Sequence, residues 1–316
     1  MSDVTTPIYL ITGFLESGKT TFINFTVQQQ YFQVEEETLL ITCEEGEEEY
    51  DEAMLRKYNT SLEVISDPKQ FTKATLTELA KKHRPYRVIL EYNPLWGVKK
   101  LEQMRMPRGW EIVQHIVTVD ASTFQVYAAN MKSHFMEMTL HADMVIFNRS
   151  RSDLPLASFR RSIKVFNPGA EILFENEERE LTDIFQDSLP YDLNADIVEV
   201  EDIDFGIFYV DLGDHPDDYK GKTVRYKGKV LKNIDGDPNM FVAGRMAMTC
   251  CAEDMTFIGY VCKSGEAASL KEGSWVEVTG VIAWETVKAY RGQGPVLYVK
   301  SVVPAKPPKM EIISFN

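Results

Sequence analysis

The sequence has few cysteines and no long hydrophobic stretch. Four cysteines in 316 residues are too few for a disulfide framework, which excludes the small secreted scaffolds that disulfides stabilise. No apolar run approaches the roughly 18 residues of a membrane-spanning helix. Residues 1–7 lack the basic and apolar regions of a signal peptide. We therefore expect a cytoplasmic globular protein without a transmembrane segment, and its length predicts about two domains.

Positive charge is missing from one segment. Residues 35–52 contain ten acidic residues and no lysine or arginine. The net charge of the chain is −14, so the remainder carries −14 + 10 = −4. The acidity is therefore local and argues only weakly against nucleic-acid binding elsewhere. A run of this kind either lies in solvent as a loop or binds a cation, as a Mg²⁺-holding switch or a hard-metal site.

A phosphate-binding motif lies near the N-terminus. Residues 13–20 have the sequence Gly-Phe-Leu-Glu-Ser-Gly-Lys-Thr, which fits G-x-x-x-x-G-K-[ST]. A β-prone apolar run precedes the motif and a helix-compatible run follows it, so backbone N–H groups and the positive end of a helix converge on one point. We predict that nucleotide phosphates bind to the loop residues Gly13, Glu16, Ser17, Gly18, Lys19, Thr20 and Thr21.

Two side chains of this loop have predicted roles. Lys19 is expected on the β- and γ-phosphates, and the hydroxyl of Thr20 is expected to ligate Mg²⁺. The loop alone does not select the base, so GTP and ATP are both candidates. An ATP-dependent kinase-like enzyme is therefore one alternative, although the sequence contains no recognisable site for a small substrate.

Strand and helix patterns alternate through the first half of the chain. This alternation predicts an α/β fold with a mostly parallel sheet and helices on both faces. Ligands of such sheets bind beyond the C-terminal ends of the strands, where the sequence places Glu44, Glu91, Asp120 and Asn148. The predicted strands are residues 8–12, 38–42, 62–65, 86–90, 112–119 and 144–147, with shorter β candidates at 163–166 and 171–174, and the predicted helices are 22–31, 52–58, 71–83 and 124–138.

Several motifs occur in the order of the CobW/HypB/UreG family of P-loop GTPases, many of which are metallochaperones. The phosphate loop resembles the opening of that family, and residues 43–51 resemble its switch segment. Residues 88–91 resemble its second metal-site strand, with Glu91 in place of the usual Asp, and residues 142–149 resemble its base-recognition strand. The resemblance covers about residues 6–185. It implies Mg²⁺ ligands at Thr20, Glu44, Asp51 and Glu91, catalytic roles for Lys19 and Glu91, and base contacts from Asn148 and Arg149.

Three motifs depart from that family. Its Cys-x-Cys-Cys motif is absent, since no cysteine lies between residues 52 and 75. Its N-K-x-D motif is replaced by Asn148-Arg149-Ser150-Arg151, with Asp153 two positions late, and arginine offers no acceptor to guanine. Pro94 stands where a glycine N–H meets the γ-phosphate, and proline has no N–H. The departures favour an alternative function: a hydrolysis-deficient nucleotide-binding scaffold without a transition metal.

The second half of the chain has a different pattern. Short β runs with turns begin at Phe205 and predict a small OB-like barrel of five or six strands. We expect a nucleotide-binding domain at residues 1–185, a connector at 186–204, the barrel at 205–305 and an extended tail at 306–316. The predicted strands of the barrel are residues 223–230, 241–244, 257–262, 275–282 and 296–303.

This half resembles the C-terminal domain of the YcgQ family. The resemblance covers about residues 205–305 and is carried by residues 217–224, 244–254 and 275–280. That family travels with permease-like membrane proteins and is associated with zinc-responsive genes. The resemblance therefore implies a membrane permease component as a candidate partner.

Cysteines of the second half are candidate zinc ligands. Cys250 and Cys251 are adjacent and Cys262 follows on the next predicted strand, with Asp254 or His215 available to complete a Zn²⁺ site. Neighbouring side chains of a regular strand point to opposite faces, so one ion binds both cysteines only at a bulge or turn. Burial of the cysteines in the core is the alternative.

Two weaker features have structural alternatives. His134, Met138 and His141 have helical spacing and form either a soft-metal site or the inner face of an amphipathic helix. Basic and aromatic residues near Tyr226 and Lys227 resemble a single-stranded nucleic-acid surface only slightly. The phosphate loop and the two family resemblances together imply a nucleotide-binding protein, GTP before ATP, that couples Mg²⁺-nucleotide binding or slow hydrolysis to the handling of a transition metal, zinc first, for a metal-requiring client protein.

Overall fold

The chain folds into two compact units. The computed structural model describes residues 6–44, 46, 49–181, 189–232, 234, 236–248 and 255–314. The first unit comprises the chain up to Leu156 together with residues 169–184, and the second comprises residues 157–168 and the chain from Phe185 onward. In the described ranges no helix combines the length and the apolar character needed to cross a bilayer.

The first unit is a parallel sheet with helices. Seven strands pair in the order β3-β2-β4-β1-β5-β6-β7, and every pairing is parallel. The predicted α/β fold is therefore confirmed. The strands are β1 (Thr6–Thr12), β2 (Thr38–Thr42), β3 (Thr60–Val64), β4 (Arg87–Glu91), β5 (Trp110–Asp120), β6 (Met144–Asn148) and β7 (Glu171–Phe174). The helices are α1 (Lys19–Gln28), α2 (Glu52–Lys57), α3 (Lys73–His83), α4 (Val98–Gln103), α5 (Phe124–Asn130) and α6 (Lys132–Thr139).

Burial explains why the central strands lack an alternating pattern. Every residue of β2 and of β4 is buried, as expected for parallel strands that are covered on both faces. The ends of α3 are set by capping residues. The Thr72 hydroxyl accepts a hydrogen bond from the N–H of Thr75 at the start of the helix, and Arg84 ends it in a left-handed conformation. Because all these strands are parallel, their C-terminal ends lie at the same edge of the sheet.

Two predictions for the first half need correction. The helix expected over residues 124–138 is two helices, because the backbone leaves the helical conformation at Met131 (φ −125°, ψ 35°). Residues 163–166 are not a strand, since a helix α7 (Leu156–Lys164) occupies this position. Its buried residues Leu156, Phe159 and Ile163 follow a spacing of three and four, which is the period of a helix.

The second unit contains α7 and a mixed β sheet. The first residues after Phe205 are not β structure as predicted, but a helix whose buried Phe205, Phe208 and Leu212 recur with helical period. After α7, its elements are β8 (Val198–Glu199), α8 (Phe205–Asp214), α9 (Pro216–Tyr219), β9 (Thr223–Leu231), β10 (Met240–Met248), β11 (Met255–Lys263), β12 (Trp275–Val287), β13 (Gly292–Pro304) and β14 (Ile312–Ser314).

Five strands of this sheet pair in a closed cycle. The strand β9 pairs antiparallel with both β10 and β12. Three further pairings complete the ring. The strand β10 pairs antiparallel with β11, β11 pairs parallel with β13, and β13 pairs antiparallel with β12. The larger of two hydrophobic clusters described in this unit contains Phe208, which packs against the rings of Tyr219, Tyr226 and Tyr260.

A buried arginine ties the segment before α8 to the strands. The Arg245 side chain is 0% exposed and its guanidinium lies 2.6 Å from the Asp202 carboxylate. It also donates to the backbone carbonyl oxygens of Asp202 at 2.6 Å and Lys227 at 3.1 Å. The ring faces of Phe205 and Trp275 flank it at 5.1 and 5.7 Å. This pair therefore joins residues that are 43 positions apart.

Candidate phosphate-binding site

The loop between β1 and α1 depends on glycine at two positions. Gly18 has φ 89°, in the left-handed region, and a Cβ atom there would lie 2.5 Å from the Asn148 amide nitrogen. A Cβ atom on Gly13 would lie 2.3 Å from the Ser17 hydroxyl. Contacts this short do not occur between real side chains, so the local geometry requires both glycines of the motif.

Lys19 is folded back over the loop. Its ammonium donates to the carbonyl oxygens of Gly13 and Phe14, each at 2.9 Å. It also forms an ion pair of 2.6 Å with the Glu44 carboxylate, and the two side chains are 4% and 11% exposed. The cation that the motif provides for phosphate is therefore neutralised by the chain itself in this conformation.

A second carboxylate lies beneath this pair. Glu91 is 3% exposed, and its Oε2 accepts hydrogen bonds from the hydroxyls of Thr42 at 2.7 Å and Tyr50 at 2.8 Å. Burial raises the pKa of Glu91, against the opposing effects of the Thr42 hydrogen bond, the Lys19 charge and the Tyr50 hydrogen bond. Sequence reasoning missed Thr42 and Tyr50. Thr42 lies opposite Glu91 in the β2–β4 register, a relation that strand order alone does not reveal.

These groups share one cavity with the loop. A cavity of about 400 Å³ is lined by Lys19, Thr20, Glu44, Glu91, Asp120 and Arg149, among others. The structure thus brings together most of the predicted phosphate and Mg²⁺ residues, which come from the ends of neighbouring strands. Asp51 has another contact, since its carboxylate accepts from the N–H groups of Ala53 and Met54 and begins α2. A Mg²⁺ role for Asp51 stays a prediction.

The predicted base-binding residues lie beside the loop. The Asn148 amide donates to the carbonyl oxygen of Ser17 at 2.7 Å. Arg149, with φ 50°, donates to the carbonyl oxygen of Glu16 at 3.1 Å and to Asp120 at 2.5 Å. Burial alone would raise the pKa of Asp120, but hydrogen bonds from Ser122 and Arg149 outweigh it and the pKa is lowered. Arg149 is thereby held against the loop.

Asp153 makes its described contacts with another residue, and not with Asn148 or Arg149. Its carboxylate oxygens pair with the Arg151 guanidinium at 3.0 and 3.1 Å, and the side chain is 66% exposed. Neither cavity that contains Arg149 is lined by Asp153. The late aspartate therefore engages a neighbouring arginine in solvent.

The segment after Glu91 closes on itself. Residues Pro94–Trp96 form a 3-10 turn, and the N–H of Leu95 donates to the Asn93 side chain at 2.9 Å. Pro94 has no N–H to offer, and the next one is already bonded. A γ-phosphate contact from this turn therefore requires its rearrangement.

The other candidate metal ligands are dispersed. Cys250, Cys251 and Asp254 lie outside the described residues. Cys262 is fully buried, and burial raises the pKa of its thiol to about 12, which favours a neutral core cysteine. Met138 is buried on α6, whereas His141 is exposed and lies beyond the end of that helix at Thr139. Among the residues with described positions, no three His, Cys, Asp or Glu side chains are grouped to hold a metal ion.

Replacing Glu91 with glutamine is expected to flatten the pH dependence of stability. The folded pKa of Glu91 is raised, so the native state binds more protons than the unfolded state between the ordinary glutamate value and the raised one. Stability is therefore lost as pH rises through that interval. We expect the melting temperature of the wild type to fall between pH 4 and pH 7 relative to that of the Glu91→Gln variant. Parallel melting profiles of the two proteins from pH 4 to 7 would contradict this.

Comparisons with known proteins agree with this architecture. The model of the CobW/HypB/UreG nucleotide-binding domain matches residues 7–174, and the DUF1980 C-terminal domain matches residues 176–313. No curated protein matches the chain. The second match begins at residue 176, before the predicted connector at residues 186–204.

The solved structures that the chain is similar to are remote in sequence. The hydrogenase maturation factor HypB from Archaeoglobus fulgidus is 16% identical, with 55% of this chain and 83% of that chain covered and a TM-score of 0.40. HypB from Helicobacter pylori in complex with nickel is 14% identical, with 55% and 80% covered and a TM-score of 0.39. The Zn(II)-bound YjiA GTPase from E. coli is 18% identical, with 82% and 95% covered and a TM-score of 0.39.

The family match covers more than half of the 316 residues. It begins at the first strand of the sheet and ends with the last strand of the first unit. It also includes the phosphate loop and every residue that lines the cavity around Lys19. The chain therefore belongs to the CobW/HypB/UreG family, through its nucleotide-binding domain.

Proposed function

We propose that the first unit binds a nucleoside triphosphate with Mg²⁺, GTP before ATP. The observation that carries this proposal is the cavity in which Lys19, Thr20, Glu44 and Glu91 meet beside the glycine-dependent loop. A triphosphate replaces Glu44 as the partner of the Lys19 ammonium, because its oxygens offer the same kind of contact with more negative charge.

The donor set of the cavity suits Mg²⁺. A hydroxyl from Thr20 and carboxylates from Glu44 and Glu91 are hard oxygen ligands, and Mg²⁺ is usually held by one or two carboxylates together with substrate phosphates. When bound, the ion neutralises phosphate charge and polarises the phosphoryl group. Glu44, which pairs with Lys19 in the empty site, would be one of the carboxylates that hold the ion.

Hydrolysis is proposed to be slow. Pro94 and the bonded Leu95 N–H leave the turn after Glu91 without a ready donor to the γ-phosphate. Lys19 and Glu91 remain as the groups that contact phosphate and ion. The protein then acts chiefly through the difference between its nucleotide-bound and empty states.

The second unit is proposed to handle the transition metal. The closed cycle of five strands supports an OB-like barrel, which presents loops and one open face for binding. Cys250 and Cys251 are the first candidates for Zn²⁺ ligands, with Cys262 less suited because its thiol is buried. We propose that this protein acts in the cytoplasm. The ion would pass from it to a metal-requiring client protein or to a membrane permease component.

Titration of the purified full chain with nucleotide tests the first part. We expect calorimetry to show binding of GTP in the presence of Mg²⁺, weaker binding of ATP, and a loss of affinity when EDTA removes the ion. Absence of binding by either nucleotide would overturn the proposal.

Zinc content tests the second part. We expect about one equivalent of Zn²⁺ in protein purified without chelator, and much less in a Cys250→Ser/Cys251→Ser variant, because serine hydroxyls bind zinc poorly. A Cys43→Ser variant is the matched control, since Cys43 is a buried cysteine of the first unit. Equal zinc in all three proteins would reject these ligands, and zinc in none would favour the nucleotide-binding scaffold.

A further inference from the structure

The base side of the site has a cavity distinct from the phosphate side. A largely apolar cavity of about 520 Å³ is lined by Gly18, Thr21, Phe25, Asn148, Arg149 and Glu175, with other residues of the sheet and of α1. It shares Gly18, Thr21 and Arg149 with the phosphate cavity. A nucleotide with its phosphates at Lys19 therefore has room for its base on this side.

Guanine needs a particular partner in such a cavity. Its N1–H and its exocyclic amine are adjacent donors, and a carboxylate accepts both at once. Arg149 supplies only donors, and Asp153 is paired with Arg151 outside the cavity. The carboxylates among the described residues that line this cavity are Glu175 and Glu177.

Glu175 is placed by the sheet at that position. Phe147 of β6 pairs with Phe174 of β7, so Asn148 and Glu175 follow side by side at the ends of these two strands. The Glu175 N–H donates to the Phe147 carbonyl oxygen at 2.8 Å, and the Ser150 N–H donates to the Glu175 carbonyl oxygen at 2.8 Å. Residues at the same level of neighbouring strands point to the same face, which puts the carboxylate beside the Asn148 amide.

Two polar groups on this side of the site have no hydrogen-bond partner among the described residues. The Asn148 Oδ1 atom is buried and makes no hydrogen bond to any described residue. The half-buried Glu175 carboxylate has no hydrogen-bond donor among the described groups, and burial raises its pKa against the opposing charge of Arg179. Buried polar atoms without partners carry a free-energy cost that a bound ligand relieves.

We propose that Glu175 reads the guanine base, in place of the aspartate that the Asn148-Arg149-Ser150-Arg151 segment lacks. The carboxylate accepts from N1–H and from the exocyclic amine, while the flanking Asn148 amide fixes the edge of the ring. This inference rests on the proposed function, because it assigns the specificity of the same nucleotide site.

Exchange of the carboxylate for an amide tests the assignment. Glu175→Gln replaces one acceptor with a donor, which suits the C2 carbonyl of xanthine instead of the amine of guanine. We expect GTP affinity to fall at least about tenfold and XTP affinity to rise, so that the GTP-to-XTP preference shifts about 100-fold. The measurement is calorimetric titration of the full chain with each nucleotide and Mg²⁺.

Two other carboxylates provide matched controls. Glu177 lines the same cavity but is exposed, and Asp153 occupies the late position after the base motif. Glu177→Gln and Asp153→Asn are expected to keep the wild-type preference. Thermal melting without nucleotide checks that each variant is folded, and Glu175→Asp in the same assay should retain a preference for GTP over XTP.

The outcomes separate this inference from the function on which it rests. An unchanged GTP-to-XTP preference in Glu175→Gln, or a shift in Asp153→Asn instead, overturns the assignment while nucleotide binding by the wild type stands. Equal wild-type affinity for GTP and XTP overturns it as well. If the wild type binds no nucleotide, the proposed function fails and the base assignment fails with it.

Discussion

Lys19→Ala is expected to lower the affinity for GTP with Mg²⁺ by about 10- to 150-fold. The ammonium is the cation that faces the phosphate position, and a charge-assisted hydrogen bond contributes about 1.5–3 kcal/mol. The loop backbone would remain, so residual weak binding reflects the amides alone. Calorimetric titration of wild type and variant measures the loss.

Glu44→Gln should act in the opposite direction when Mg²⁺ is absent. In the wild type, phosphate has to displace Glu44 from its 2.6 Å contact with Lys19. Glutamine keeps the shape of the side chain and removes its charge, so we expect about tenfold tighter GTP binding in EDTA, equivalent to about 1.4 kcal/mol. With Mg²⁺ the gain should shrink, because the ion loses a carboxylate ligand.

An exposed lysine supplies the control for these two variants. Lys69 is exposed and lies outside the cavity, so Lys69→Ala should bind GTP as the wild type does. Equal affinities of Lys19→Ala and Lys69→Ala would show that the loop is not the phosphate site. Weaker binding by Glu44→Gln in EDTA would show that the carboxylate does not compete with phosphate for Lys19.

Asp202→Ala is expected to destabilise the second unit by about 3 kcal/mol. Removing one partner of a buried ion pair leaves the other charge without compensation, and such changes typically cost about 3–5 kcal/mol. Arg245 is 0% exposed, but Asp202 is 35% exposed, which favours the lower end of this range. Hydrogen exchange of the β10 amides in the full chain reports on this unit specifically.

A surface pair of the same type provides the comparison. Arg225 and Glu199 lie 2.7 Å apart with side chains 35% and 57% exposed, so Glu199→Ala should cost at most about 1 kcal/mol. The double variant Asp202→Ala/Arg245→Met should recover part of the loss, since it removes the buried charge altogether. Equal effects of Asp202→Ala and Glu199→Ala would contradict a special role for the buried pair.

The sequence was most informative where one local rule decided the structure. The phosphate loop could be predicted because a glycine at φ 89° and a lysine at the start of a helix leave little choice. The parallel sheet could be predicted because fully buried strands are continuous apolar runs. Glu44, Glu91, Asp120 and Asn148 followed from strand ends alone.

Other features depend on contacts that are distant in the chain. The hydroxyl of Tyr50 reaches Glu91 across 41 positions, and the Arg245–Asp202 pair spans 43, so neither has a local signal. The helix Phe205–Asp214 was mistaken for β structure because its aromatic residues favour strands, although Phe205, Phe208 and Leu212 carry the helical period. Asp51 illustrates a competing use, since the acidic side chain begins a helix.

The cyclic pairing of β9 to β13 limits how another chain can join the second unit. Where a strand of the ring pairs with both neighbours, its backbone N–H and C=O groups are occupied on both sides and offer no free edge for strand addition. The pairing of β11 with β13 joins only three residues of each strand. In the described parts of this unit, the sheet order ends with β14, of three residues, and β8, of two. A partner that adds a strand would gain few backbone hydrogen bonds at these two short strands, so a longer pairing would have to use the stretches of β11 and β13 outside their three-residue contact.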